Sequence, residues 1–299
     1  MKPAPSSGVS GLTVVIPAYN EADAIGTTLA TLQKTLSGLK TAHEIIVVDD
    51  GSSDETAETA RDAGAKVIQH PVNSGYGRSL LTGIEAAKHE TIAIVDADGT
   101  YPIERLPDLL SLFEKGFDMV VAARQGRYYD TSWGKKSLRF IFRRLAEFTC
   151  GRKIPDINSG FRIFDRGPVL AWRSSVSTGF SFTTTVTLIF MLNGLMVGYL
   201  PVAYHKRVGQ SKVRLFRDSM RSLQIITTAI AQFNPLKLYL LLGLVNLAGN
   251  GALIGAVYAR TLEGWPVVLA TCGWNTLCLL AGGSILALGI LRQPPQKRE

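Results

Sequence analysis

The stretch at residues 91–102, TIAIVDADGTYP, is an apolar run that stops at two aspartates one residue apart, with a glycine and an aromatic-proline pair behind them. A run of this kind between helical patterns reads as a buried strand whose exit carries acids. The same arrangement recurs along the first half of the chain. LTVVIP (12–17) precedes a helix pattern with Ile25, Leu29, Leu32 and Leu36, for which Asn20 is the expected N-cap. EIIVVDD (44–50) is followed by GSSDETAETARDAG, where Ser52 and Glu55 have capping-box spacing and Gly64 suits the helix end. AKVIQ (65–69), a helix over 77–88, the stretch at 91–96, a helix over 103–115 and FDMVVAA (117–123) continue the alternation. Uninterrupted apolar strands between amphipathic helices predict an α/β fold: a mostly parallel sheet with helices on both faces.

Ligands of such sheets bind outside the carboxyl ends of the strands. PAYNE follows the first run, DDGSSD the second, DADGTYP the fourth and Arg124 the fifth, so these groups are expected on one rim. A single aspartate at a strand end most often caps the next helix. Asp49 and Asp50, Asp96 and Asp98, and Glu21 together are a different matter, because clustered carboxylates repel unless a cation or a hydrogen-bonding ligand holds them.

The chain has 299 residues, a formal net charge of +8 and 46% hydrophobic content, enough for one large or two small domains and too apolar for disorder. Its apolar residues crowd toward the end. Residues 238–259 carry no charge and would cross roughly 30 Å of hydrocarbon as a helix. A second such run covers 265–291, and only RTLEG separates the two, which predicts a transmembrane hairpin. Arg214, Arg217, Arg221 and Lys237 precede it and Arg292, Lys297 and Arg298 follow it, so both termini and the N-terminal part are expected in the cytoplasm. No apolar leader stands at the N-terminus, and an integral membrane protein without a cleaved signal is expected. The three cysteines, Cys150, Cys272 and Cys278, form no CxxC, and the four histidines show no metal spacing.

Taken together, VVIPAYNE, EIIVVDDGSSDET, DADGTYP, DINSGFRIF and HKRVGQSK resemble, in order, the motifs of the family 2 glycosyltransferases. The likeness is to the branch of dolichol-phosphate mannose synthase and the bacterial polyprenyl-phosphate glycosyltransferases. It covers residues 12–212 and implies a GT-A, Rossmann-like fold, with the terminal hairpin fitting the bacterial members. The implied organisation is a cytoplasmic catalytic domain over 1–212, an amphipathic interfacial helix over 213–234 and the membrane hairpin over 235–299. The resemblance implies that Pro17, Ala18, Tyr19, Glu21, Val48, Asp50, Asp96 and Ala97 hold the nucleotide of a UDP- or GDP-linked sugar. It makes Asp96 and Asp98 a DxD pair for Mg²⁺ or Mn²⁺, with Asp98 the direct ligand. Hard divalent cations take carboxylate and phosphate oxygens together, so the residue types suit the role. Arg207, Ser211 and Lys212 would close over the donor diphosphate. Thr100 stands where mannose synthases have Gln, and FSFTTT (180–185) has threonines where many relatives have an acid, so the sugar is left unassigned.

Two basic stretches bear on the acceptor. Lys135, Lys136, Arg139, Arg143 and Arg144 lie at helical spacing opposite Leu138, Ile141, Phe142, Leu145 and Phe148. That predicts an interfacial helix over about 135–149, lying on an anionic bilayer. Residues 206–221 hold six cations and one acid and lead into the first span. Interleaved exposed aromatics are missing, which argues against nucleic acid as the partner. By resemblance Arg124, Lys135, Lys136, Arg139, Ser159 and Arg162 would grip the phosphate of a polyprenyl phosphate. Asp156 would sit near the reacting centre; on the residues alone, a loop cap or a salt bridge to Arg162 fits it equally. The expected reaction is inverting transfer of one sugar, with transfer to a lipid hydroxyl or a non-catalytic nucleotide-sugar-binding role as alternatives. The QxxRW motif of processive synthases is absent. Hairpins of this kind often pack between subunits, so a homo-oligomer is the corresponding expectation.

Overall fold

β1 (Gly11–Ala18) is buried along its whole length, as a strand covered on both faces must be. Around it the computed structural model, which describes residues 9–126, 133–205, 215–258 and 264–291, builds a sheet of seven strands. The others are β2 (Ala42–Asp49), β3 (Lys66–Gln69), β4 (Thr91–Ile94), β5 (Met119–Gln125), β6 (Arg162–Asp165) and β7 (Val197–Ala203). Their order is β3-β2-β1-β4-β6-β5-β7, and every pairing is parallel except those of β6 with β4 and β5. The mostly parallel sheet expected from the alternation is therefore present. The antiparallel β6, just behind DINSGF, is an addition that the alternation did not predict.

The helices are α1 (Ala22–Ser37), α2 (Thr56–Asp62), α3 (Tyr76–Glu85), α4 (Leu106–Phe113), α5 (Trp133–Cys150), α6 (Arg166–Ala171), α7 (Phe182–Leu192), α8 (Leu215–Phe233), α9 (Pro235–Tyr258) and α10 (Gly264–Leu291). Successive residues of β1 point to opposite faces, and the core splits accordingly. Val14 and Ile16 join Ile25, Leu29, Leu32 and Leu36 of α1 and Leu106, Leu109 and Phe113 of α4. Val15 joins Leu80 and Ile84 of α3 and Phe182, Val186 and Phe190 of α7 on the other side. Each fully buried aliphatic or aromatic side chain contributes about 1.5–3 kcal/mol, so both faces hold the sheet.

Two local expectations change. Asn20 does not cap α1: it lies at φ +50°, a left-handed conformation that asparagine tolerates, and its Oδ1 accepts the Ser53 amide at 2.8 Å. Ser52 and Glu55 form no capping box, because α2 starts later, at Thr56, whose amide Asp54 accepts at 3.1 Å. Ser52 instead accepts the Asn20 amide at 2.9 Å and donates to Asp49. Residues of cap type are used here to tie the loop after β1 to the loop after β2.

The chain divides into two compact units, Met1–Leu223 and Gln224–Glu299. In the first, α5 turns Ala146 and Thr149 inward and leaves Phe140, Ile141 and Phe148 about half exposed. Arg143 and Arg144 lie over the Phe140 ring, at 5.7 and 5.2 Å. In the second, α9 and α10 pair, with Asn250 donating to Asn275 Oδ1 at 3.0 Å and Trp274 close against Gly249. Leu236, Leu244, Leu247, Leu269, Leu277, Leu279 and Leu280 of this unit are exposed. Among the described residues no single helix is long and apolar enough to cross a membrane, although the bent pair Leu223–Ala231 and Pro235–Ala252 meets that measure together.

Candidate functional site

The chain runs outward from β1 to β2 and β3, then returns to place β4 on the other side of β1. Such a reversal opens a crevice at the strands' carboxyl ends. A cleft of about 740 Å³ lies there, lined by Pro17, Ala18, Tyr19 and Glu21 after β1, Asp50 after β2, and Asp96, Ala97 and Asp98 after β4. Arg124 at the end of β5 completes the rim. The residues that the strand ends were expected to bring together do converge. Val48 does not join them, since its side chain is part of the core between the sheet and α3.

Within each acidic pair the structure separates two jobs. Asp49 holds loops, accepting from Ser52 and, at 3.1 Å, from Gln69 Nε2. Asp50 lines the cleft and accepts the amides of Ser74 and Gly75 at 2.9 and 2.8 Å. These amides belong to NSGYGRS (73–79), which enters α3 and forms a further wall of the cleft. Gly77 has to be glycine, because a Cβ there would lie 2.3 Å from the Ser177 carbonyl.

Asp96 and Asp98 both face the cleft. The Asp98 Oδ1 accepts the Thr100 amide at 3.1 Å and its hydroxyl at 2.6 Å. The departure from Gln therefore serves the second aspartate directly, fixing one oxygen. Asp96 Oδ1 accepts the Tyr76 hydroxyl at 2.8 Å, and burial together with the Asp96 charge raises the Tyr76 pKa well above the usual value. Tyr76 thus stays a neutral donor. Against the other side of Asp96 lies Gly160, where a Cβ would come within 2.3 Å of Oδ2. Among the described residues no group of three or more His, Cys, Asp or Glu could hold a metal ion by itself. Two oriented carboxylates on an open cleft fit a cation that keeps its waters and takes the rest of its ligands from a phosphate, as Mg²⁺ does.

Beyond the DxD pair the structure redistributes the expected acceptor residues. Arg124 forks onto Asp156, with Nε to Oδ2 at 2.7 Å and Nη2 to Oδ1 at 2.9 Å. Asp156 also accepts the Arg124 amide at 3.2 Å and the Asn158 amide at 3.1 Å. Burial pushes the Asp156 carboxyl up, but the guanidinium and these bonds outweigh it and hold its pKa below the usual value. Its ionic partner is Arg124, not Arg162. The Arg124 guanidinium also lies 5.3 Å from the centre of the Tyr204 ring.

Arg162 and Ser159 do not reach the cleft, which corrects their expected place on an acceptor phosphate. Arg162 is 0% exposed and donates to the carbonyls of Ser159, Ile157 and Thr183 and to Thr187 Oγ1. A guanidinium buried in this way needs all those acceptors, and burial lowers its pKa. Ser159, also 0% exposed, bonds to Phe161 in its own turn and reaches the Tyr101 hydroxyl at 3.4 Å. The pair staples the loop before β6 to α7. Lys135, Lys136 and Arg139 fall on α5, whose side chains are described from Phe140 onward, and Arg207, Ser211 and Lys212 lie outside the described residues.

Several cleft residues carried no individual role in the reading of the sequence. Tyr76 and Phe180 stack at 5.6 Å and 13°, and both line the cleft with Asn158, Thr178 and Thr183. Tyr101 accepts the Gly160 amide at 2.7 Å and meets the Tyr204 ring edge-on at 5.4 Å. Tyr76 stands in NSGYGRS, Asn158 in DINSGFRIF, Phe180 and Thr183 in FSFTTT, and Tyr101, buried behind the cleft wall, in DADGTYP, but single side chains carry no periodicity that would assign them a role.

Comparison with known proteins gives a consistent picture. The family model described as "Glycosyl transferase family 2" matches residues 13–171. A dolichyl-phosphate hexose transferase of Haloferax volcanii is 32% identical over 206 residues, covering 69% of this chain and 87% of that protein. An undecaprenyl-phosphate 4-deoxy-4-formamido-L-arabinose transferase of Edwardsiella ictaluri is 32% identical over 171 residues, 55% of this chain and 50% of that one. Among solved structures, glucosyl-3-phosphoglycerate synthase of Mycobacterium tuberculosis, in complex with Mn²⁺, UDP and glucosyl-3-phosphoglycerate, superposes with a TM-score of 0.58. It is 20% identical and covers 75% of this chain and 80% of its own, a likeness of fold.

Proposed function

The chain belongs to glycosyltransferase family 2, and from that premise we propose that it transfers one sugar from a nucleoside-diphosphate sugar to a polyprenyl phosphate, with inversion, at the cytoplasmic face of a membrane. The two relatives named above are transferases acting on dolichyl and undecaprenyl phosphate, which supports this class of acceptor. In this reading Pro17, Ala18, Tyr19, Glu21, Asp50 and Ala97 hold the nucleotide, and Asp96 and Asp98 hold Mg²⁺ or Mn²⁺. Arg207, Ser211 and Lys212 keep the donor-diphosphate role that the resemblance implies, and Lys135, Lys136 and Arg139 the acceptor phosphate. The exposed leucines of α9 and α10 and the half-exposed Phe140, Ile141 and Phe148 of α5 support membrane attachment.

The observation that carries the choice of acceptor is the Arg124–Asp156 fork. A hydroxyl acceptor needs a base, and Asp156 is held by Arg124 with its pKa lowered. A phosphate monoester needs none, because its second pKa of about 6 leaves it largely dianionic near neutral pH. A phosphate oxygen attacks the anomeric carbon from the face opposite the diphosphate. The new C–O bond forms as the old one breaks, and its electron pair leaves with the nucleoside diphosphate. The divalent cation supplies charge neutralisation for that leaving group. The protein's part is to orient and to screen two approaching anions.

The test is to incubate the full chain with polyprenyl phosphate, Mg²⁺ and a panel of radiolabelled nucleotide-sugars and to extract the lipid. Label is expected in the lipid phase with one donor. Replacing polyprenyl phosphate by diacylglycerol should give none. Absence of labelled lipid with every donor overturns the proposal.

A further inference from the structure

His70 follows β3 and is not part of the cleft wall, yet it reaches the cleft through Asp50. Its Nδ1 lies 2.7 Å from Asp50 Oδ1, with side-chain exposures of 12% and 5%. Its Nε2 lies 3.0 Å from the Thr82 hydroxyl on α3, and its own amide donates to the Asp49 carbonyl at 2.8 Å. A carboxylate only accepts, so Nδ1 carries the proton. The Thr82 hydroxyl can donate to Nε2 of a neutral ring or accept from a charged one, so the ring keeps its orientation in both states.

We propose that His70 is a positioning residue that sets the Asp50 carboxylate for recognition of a nucleobase edge bearing an N–H, as in uracil or guanine. The inference rests on the reading of the cleft as a nucleotide-sugar site. A carboxylate offers about four acceptor positions. Among the described residues three are filled, by His70 and Ser74 on Oδ1 and by Gly75 on Oδ2. Donors on both oxygens fix the carboxylate plane at the cleft wall. A further acceptor position on Oδ2 then meets a ligand N–H with little left to reorganise. Uracil N3–H and guanine N1–H offer one. Cytosine presents an acceptor at the same edge, so it would face the carboxylate lone pairs and be disfavoured. Ser74 and Gly75 act through their backbones, so the His70 side chain is the donor that a substitution can remove.

The experiment titrates UDP, GDP and CDP, with Mg²⁺ present, into the full-length protein and its His70→Ala, His70→Asn and Thr82→Val variants by calorimetry. The wild type is expected to bind UDP or GDP in preference to CDP. His70→Ala should raise Kd for the preferred nucleotide about tenfold and narrow its lead over CDP, the loss of one bond to a charged acceptor. His70→Asn, whose amide nitrogen can take the place of Nδ1, should recover most of the loss, and Thr82→Val should cost about threefold. In transfer assays the change should fall on KM for the donor, with kcat within about twofold. Equal base preference in the wild type and His70→Ala overturns the inference while leaving the site reading intact. So does a loss in His70→Ala that His70→Asn does not recover. A wild type that binds no nucleoside diphosphate overturns the site reading itself.

Discussion

Arg124, at the end of β5, and Asp156, in the loop before β6, meet through two parallel hydrogen bonds of 2.7 and 2.9 Å, and the carboxylate is only 2% exposed. The strand thereby fixes the loop and the loop fixes the direction of the arginine. Removing one partner of such a pair strands a charge in a poor solvent. Asp156→Ala should therefore lower unfolding stability by about 3–5 kcal/mol, read from denaturant midpoints. Arg124→Lys cannot rebuild the fork, and its labelled-lipid yield should fall although the charge is kept.

The pH dependence follows in sign from the same pair. In the folded protein the Arg124 guanidinium and the amide bonds outweigh burial and hold the Asp156 carboxyl below the ordinary aspartate pKa, so its stabilisation is fully present above that ordinary value. It is lost as the pH falls through the lower folded pKa. Unfolding scans from pH 7 to pH 2 should show no Asp156 contribution to any change above about pH 5. Asp156→Asn should flatten part of the acid limb.

Thr100 is expected to matter through Asp98. Asp98→Ala should abolish metal-dependent transfer, by about a hundredfold or more, with the circular dichroism unchanged. Thr100→Val removes the 2.6 Å hydroxyl bond that holds Oδ1. It should weaken Mn²⁺ binding, followed by paramagnetic relaxation of water protons, while Thr100→Ser retains it.

Gly160 is a steric requirement of Asp96. An added methyl would meet both carboxylate oxygens, at 2.3 and 2.5 Å, and the residue would also press on a loop tied to Tyr101. Gly160→Ala should reduce transfer at least tenfold and weaken Mn²⁺ binding, although the site lies outside every acidic motif. Unchanged activity would remove Asp96 from the working site.

Arg162 should behave as a staple and not as a ligand. Arg162→Met takes the guanidinium away from the carbonyls of Ser159 and Ile157, and leaves Thr183 only its bond from the Thr187 hydroxyl, a loss of about 3 kcal/mol or more. What remains folded at low temperature should keep its KM for polyprenyl phosphate. A raised acceptor KM with wild-type stability would return Arg162 to the acceptor site.

The strands, the helices between them and the rim on which their ends gather follow from local pattern. Alternation and period are properties of neighbours along the chain, and a strand such as TVVIP announces its burial on both faces by its residues alone. Local pattern places the doublets Asp49–Asp50 and Asp96–Asp98 on that rim, and only the family resemblance singled out Asp50 and Asp98 within them. Asp49 serves loops and Asp50 the cleft because of Ser52, Gln69, Ser74 and Gly75. Asp156 fitted Arg162 as well as any arginine by proximity in sequence, yet it pairs with Arg124, 32 residues away, because β6 inserts antiparallel between β4 and β5. Arg162 then sits inside, where main-chain carbonyls and the Thr187 hydroxyl take its bonds. The parallel strands, their rim and the residues that carry charge there are legible in local pattern, whereas the antiparallel β6 is not. Tertiary structure alone decided which of those charges face the cleft and which are consumed in holding it, since a buried charge takes its partner from whatever the fold brings within bonding distance, not from its neighbours along the chain.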